Sequence, residues 1–526
     1  MTLILRTPRT LAPTQLPTQL PTQLLGAPLG AGEEAPVCSR GASETPRSRI
    51  VSQAAAAAGG PAKANERARS LCHGLLALGL LALTPGCPQS ENTSVADTAV
   101  MTNVTTESSG GGGATESGGG TTGVSGKTSG GSETDGGSGT DGGSETDGPQ
   151  LDPDKVDILF VIDNSGTMSV AQAQVNEEVE ALVDPLIEAG LSLRIGITTT
   201  DAGNPQCTKA STTPENGALV LSSCLDRVGL GDFSFDGTDP PIDAAWSCTD
   251  YCELKDSDLQ VEATATAEDP TPAPRRWVEV EGADSNLGEV GVVSALRCFL
   301  PMGVNGCGFE SPLEAMYRAL RRSEVAGEVN FGFLREDARL MIVMVTDETD
   351  CSYNESYEEI FQTNKVFWNS PDDPTPNSAA CWRAGVSCTG SPPNRECFAE
   401  NHDISGTSGV SDTSAVLHPL SRYTDLLTEL AASKGSAVEL HLIAGVPEGY
   451  ADGASIDYNE ESSPEFVEDF GIGPACAFGG SGGAVPSVRE REVAEALAGG
   501  GRPVYSICAS SYVPAFAAIV ASILDE

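Results

Sequence analysis

The residues best suited to chemistry in this sequence are oxygen donors gathered into short stretches. Asp163-Asn164-Ser165-Gly166-Thr167 places one carboxylate and two hydroxyls at alternate positions, and Asp347-Glu348-Thr349-Asp350 places three carboxylates within four residues. Carboxylates and hydroxyls are the ligands of hard cations, and a hydroxyl coordinates without cancelling the ion's charge. The second stretch could build a cation cage of its own around Glu348 and Asp350, of the larger and less regular kind that suits Ca2+ better than Mg2+. The competing reading is solvated surface charge, with Cys351 giving the loop a disulfide role.

Catalysis has less to work with. Downstream of residue 87 the histidines are His402, His418 and His441, and none has ligand spacing. His441 falls inside an apolar run and His418 stands before Pro419 at a helix start, so each reads as structural. No HExxH and no phosphate loop occurs, and no CxxC pair offers converging thiolates. The chain therefore reads as a binding protein and not as an enzyme.

Charge narrows the partners. Lys plus Arg number 30 against 74 Asp plus Glu among 526 residues, a formal charge of -44. A field of that sign repels nucleic acid and anionic headgroups and favours cations. Of the 15 cysteines, Cys38, Cys72 and Cys87 lie upstream and the other twelve follow residue 200, an even set suited to oxidative pairing outside the cytoplasm.

Export has its own signal. Leu71 to Leu83 is an apolar run preceded by Lys63, Arg67 and Arg69 and followed by Thr84-Pro85-Gly86-Cys87. It is too short to span a bilayer, and its flanks are those of a secretory signal peptide over 71–87. TPGC resembles a loose bacterial lipobox, in which Cys87 becomes the lipidated first residue and anchors the chain to a membrane. Pro88 follows where the inner-membrane retention signal has Asp, which points to the outer membrane or cell surface, or to secretion. Residues 1–70, with three copies of PTQL, read as a disordered prefix or one that precedes the true translation start. Residues 88–150 read as a disordered Gly/Ser/Thr/Asp-rich tether.

The elements that must position the oxygen donors occupy 151–526. Lys155 to Asp163 is a near-continuous apolar run, as in a strand buried on both faces. A helical pattern follows with Ala171, Val175, Val179, Leu182 and Leu186 on one face, closed by Gly190. Further strands are predicted at 193–200, 340–347, 438–444 and 503–508, with helices near 287–300, 312–322, 419–434 and 513–524. Such alternation implies a doubly wound α/β domain, a mostly parallel sheet with helices on both faces. Ligands of these sheets gather outside the carboxyl ends of the strands, where the topology reverses. Asp163 and Asp347 both end predicted strands, at that edge.

The Asp163-x-Ser165-x-Thr167 loop resembles the DxSxS signature of von Willebrand factor type A domains, with Thr167 keeping the second hydroxyl. Val345-Thr346-Asp347 matches the family's later strand-ending Asp. The resemblance implies a metal-ion-dependent adhesion site holding Mg2+ or Ca2+ through Asp163, Ser165, Thr167 and Asp347, with an open position for an acidic group of a protein partner. The family's third element is a Thr, and the corresponding stretch Gly306 to Pro312 has none. Glu310 or Ser311 must stand in. Glu310 would over-neutralise the ion and favour a structural metal, Ser311 would keep the adhesive form, and Ser311 could instead merely cap the helix opened by Pro312. Insertions near 202–283, 352–417 and 449–487 enlarge the domain, and those after residues 200 and 347 should flank the metal. The resulting expectation is a cell-envelope lipoprotein that captures a partner through its cation. The alternative is a scaffold in which metal and disulfides only stabilise the fold.

Overall fold

The computed structural model describes residues 151–524, apart from 208–212, 238–239, 435–437, 460–462 and 479–481. The prefix, the signal peptide, Cys87 and the tether lie outside the described residues.

A seven-stranded, mostly parallel sheet forms the centre. Its strands in chain order are β1 (Lys155–Ile162), β2 (Ser192–Thr199), β3 (Trp277–Glu281), β4 (Asp284–Ser285), β5 (Arg339–Val345), β6 (Val438–Ala444) and β7 (Val504–Ser506). In space they run β7-β6-β5-β1-β2-β3-β4. β1 pairs parallel with both β2 and β5, β6 pairs parallel with β5 and β7, and β3 turns antiparallel on β2.

The main helices are α1 (Ser169–Glu178), α2 (Glu180–Glu188), α3 (Val292–Phe299), α4 (Pro312–Glu324), α5 (Ser421–Lys434), α6 (Val488–Leu497) and α7 (Val513–Leu524). Alternate residues of β1 enter different cores, as the two-residue period of a strand requires. Ile158, Phe160 and Ile162 pack with Val175 and Leu182 of α1 and α2 and with Phe516 and Ile519 of α7. Leu159 and Val161 pack with Leu313 and Met316 of α4, Leu427 of α5 and Val493 of α6. Burial on both faces explains why this strand reads as an unbroken apolar run.

Two of the longer elements escape the sequence pattern. β3 falls inside the stretch 202–283 because its WVEVE is short and half charged, a composition tolerated near a sheet edge. α6 reads VREREVAEAL, and its buried face includes Arg489 and Glu490 beside Val493, so no apolar stripe announces it.

All twelve downstream cysteines are paired: Cys207–Cys307, Cys224–Cys248, Cys252–Cys298, Cys351–Cys381, Cys388–Cys397 and Cys476–Cys508. The long loops are braced by small cores of their own. One gathers Phe309, Ile360, Phe361 and Phe367 around Cys351 and Cys381. Trp368 and Trp382 are buried in these lobes, whereas Trp246 is 40% exposed.

Candidate metal centre

From β1 the chain moves outward through β2 and β3, and from β5 it moves the opposite way through β6 and β7. The carboxyl ends of β1 and β5 therefore lie side by side where the strand order changes direction, a place where open parallel sheets bind ligands. Both strands leave the regular ladder just before their carboxylates. Asp163 N–H still donates to the Val345 carbonyl at 2.9 Å, and Thr346 N–H to the Ile443 carbonyl at 3.1 Å.

Side chains then cross between the two loops. The Thr167 hydroxyl donates to Asp347 Oδ2 at 2.6 Å, joining residues 180 apart in sequence. The Thr346 hydroxyl donates to Asp163 Oδ2 at 2.6 Å, and Ser165 N–H donates to Asp163 Oδ1 at 2.7 Å. Gly306 approaches so closely that a Cβ there would collide with the Asn164 side chain.

Gln172, on the first turn of α1, fixes this loop against its neighbour. Its amide nitrogen donates at 2.7 Å to the carbonyls of Asp163 and Gly303, and its amide oxygen accepts from Met302 N–H at 2.9 Å and Gly303 N–H at 3.1 Å. Every hydrogen-bonding position of a buried amide is thereby used. Gln172→Ala would leave those four backbone groups without a side-chain partner. Stability should fall by about 3 kcal/mol or more, read from urea unfolding, and cation affinity should fall with it.

Glu310 enters from the segment before α4. Its Oε2 accepts the Thr200 hydroxyl, and Ser311 N–H donates to the Thr200 carbonyl at 3.0 Å. Ser311 stands at the helix start without a side-chain capping bond, so the capping role considered for it is not used. Glu348 accepts from the Ser378 hydroxyl at 3.3 Å. Asp350 turns elsewhere, to Arg489 Nε at 2.9 Å and the Ser352 hydroxyl at 2.5 Å. The two carboxylates considered as one cage thus serve different partners.

Asp163, Ser165 and Glu310 are fully buried, and Asp347, Glu348, Ser311 and Asp201 are nearly so. Burial, with the charge of Asp347 next, pushes Asp163 up to about 6. Burial pushes Glu348 up to about 7, with Asp163 and Asp347 adding to it. Glu310 is held well above the ordinary range by burial and by Asp163, Asp201 and Glu348. Burial also raises Asp201.

Five buried oxygens at this rim have no hydrogen-bond donor: Asn164 Oδ1, Ser165 Oγ, Asp201 Oδ2, Glu310 Oε1 and Asp347 Oδ1. Buried polar atoms are rarely left this way, and several together call for an explanation. A hard cation supplies one, because the donor set is oxygen throughout, with no nitrogen or sulfur. The residues present fit Mg2+ or Ca2+: Asp163, Ser165, Thr167, Asp347 and Glu310 could hold it.

Two tighter groups of metal-type side chains lie elsewhere and fit an ion less well. His418 Nε2 is 3.4 Å from Glu355 and 3.9 Å from Glu314. Arg318 and Arg422 already neutralise Glu314 at 2.8 and 2.9 Å, and Arg318 also pairs with Glu355, so no net negative charge remains for a divalent ion. Cys224, Cys248 and Cys252 lie together, but each is committed to a disulfide.

Sequence reasoning proposed Asp163, Ser165, Thr167, Glu310, Ser311 and Asp347 as ligands, and it did not single out Gln172, Thr200, Asp201 or Thr346, which bond to or lie beside them. Asp201 carries the signal that marked the other two aspartates, a carboxylate just past a buried strand. Comparison with known protein families gives no match for this chain, and comparison with curated proteins gives no relative.

Proposed function

We propose that this chain is an exported, lipid-anchored protein of the cell envelope whose von Willebrand factor type A-like domain holds Mg2+ or Ca2+ and presents that edge of its sheet to a protein partner. The observation that carries the reading is the Thr167–Asp347 contact beside the partnerless Ser165 Oγ and Asp347 Oδ1. A doubly wound arrangement is supported by the strand order, with β1 and β5 at its centre and the antiparallel β3 beyond β2. When bound, the cation would offer a site for an oxygen of the partner. The chain's own part is to hold the rim: Gln172 fixes the Asp163 loop, and Thr346 orients the Asp163 carboxylate.

A second reading, that of a scaffold, is favoured by Glu310. Three carboxylates around one divalent ion leave little attraction for a partner's acid, and the ion then serves mainly to stabilise the loops. Capture of a partner from envelope extract, with and without chelator, separates the two. Capture lost with chelator while the protein stays folded supports metal-dependent binding. Capture that persists supports the scaffold.

A further inference from the structure

We infer that the cleft between β7, the loop after β6 and the first turns of α7 binds an organic cation, an ammonium or guanidinium group carried on an apolar stem. The inference stands apart from the metal centre and shares no residue with it.

The cleft has a volume of about 490 Å3, within the range of small-ligand sites. Its walls are aromatic. Tyr450, Tyr505 and Tyr512 line it, and the small side chains of Ala515 and Ala518 on α7 leave the space between them. Two of these rings are fixed by their own hydroxyls, Tyr450 donating to Glu495 Oε1 at 2.6 Å and Tyr512 to the Ile507 carbonyl at 2.6 Å. Both phenols are thereby committed to the protein, so what they offer a ligand is ring surface.

Charge selects the ligand. Glu448 and Asp452 line the same cleft from the exposed loop after β6. Among the described residues, neither carboxylate forms a hydrogen bond or an ion pair, and no Lys, Arg or His lines the cleft. Glu314 and Glu355, by contrast, carry their own arginine in Arg318. An anion is repelled from such a cleft, and a divalent metal finds no buried oxygens in its aromatic walls. An organic cation fits both halves, because its charge meets the carboxylates and its stem meets the rings, whose faces attract ammonium and guanidinium groups. The chain makes this contact once itself beside the cleft, where the Arg502 guanidinium lies 4.9 Å from the centre of the Tyr450 ring.

The loop holds its shape through its own turns. Asp452 N–H donates to the Gly449 carbonyl and Gly453 N–H to the Tyr450 carbonyl, each at 3.0 Å. A cleft formed in advance spares the ligand the cost of ordering it.

The test is calorimetric titration of the full chain with benzylammonium and with benzyl alcohol, a neutral molecule of similar shape. Physiological salt suppresses diffuse attraction to the surface acids. One saturable benzylammonium is expected, bound at least about tenfold more tightly than the alcohol. Glu448→Gln combined with Asp452→Asn changes two exposed positions, which leaves the fold intact, and should remove that preference. Ala518→Leu fills the cleft and should weaken both ligands by about tenfold or more. Alcohol bound as tightly as benzylammonium by the natural protein overturns recognition of charge. Benzylammonium affinity unchanged in both variants overturns the assignment to this cleft, and the absence of saturable binding overturns the site altogether. Titration with an acetylated and amidated Ala-Lys-Ala peptide identifies the source of the cation. Tighter binding of the peptide supports the site with a side chain of a protein partner in it, and tighter binding of benzylammonium supports it with a free amine.

Discussion

Asp163→Ala is expected to abolish the stabilisation that Ca2+ or Mg2+ gives the natural protein while leaving the metal-free fold largely intact. At a free cation concentration a hundred times the dissociation constant, one site adds about 2.7 kcal/mol to the natural protein. The variant should show none of that gain in urea unfolding with and without cation. Its metal-free stability should hold because the carboxylate it loses is an unfavourable one, raised to about 6 by burial and by Asp347. The loss of two hydrogen bonds, from Ser165 N–H and the Thr346 hydroxyl, works in the opposite direction. Those bonds are each worth about 1 kcal/mol, more where the acceptor is charged, so the two effects nearly offset. An equal cation response in the variant and the natural protein would remove Asp163 from the site.

The pH dependence should be as large. Asp163, Asp201, Glu310 and Glu348 are all held above the ordinary carboxylate range, chiefly by burial. The metal-free folded protein consequently keeps protons that the unfolded chain has released. Their contribution is complete below about pH 4, where both states are protonated. It is lost as pH rises through the folded values, about 6 for Asp163 and about 7 for Glu348. Asp163 alone accounts for on the order of 3 kcal/mol. Metal-free protein should be markedly less stable at pH 8 than at pH 5. Ca2+ should restore stability at pH 8 and do little at pH 5, with protons released on binding. Unfolding series at the two pH values check this, and a cation response larger at pH 5 would contradict it.

The sheet was legible because its central strands are buried on both faces and so carry unbroken apolar runs. β1 and β6 fall almost where the pattern puts them. Asp163 and Asp347 were legible for a related reason, since a carboxylate directly after such a run marks the carboxyl edge. β3 and α6 were not, because one is a short, half-charged strand and the other hides Arg489 and Glu490 on its inner face. Gln172 was invisible for a different reason. Its importance comes from backbone groups of Met302 and Gly303, about 130 residues away, and no local pattern records where a distant loop will lie. The choice between Glu310 and Ser311 also needed coordinates, because it depends on which side chain faces Asp163.

The Cys207–Cys307 bridge bears on how the rim is assembled. It closes a ring of 100 residues, with one end six positions after Asp201 and the other three before Glu310. In an oxidised chain these two acids lie just outside that ring, on the two tails that leave it at the bridge, and stay within a few residues of each other's anchor even when the sheet has melted. Closing so large a ring beforehand removes about 4 to 5 kcal/mol of chain entropy from the search. An oxidised chain can thus reassemble the rim from nearby pieces, while a reduced chain must first find them.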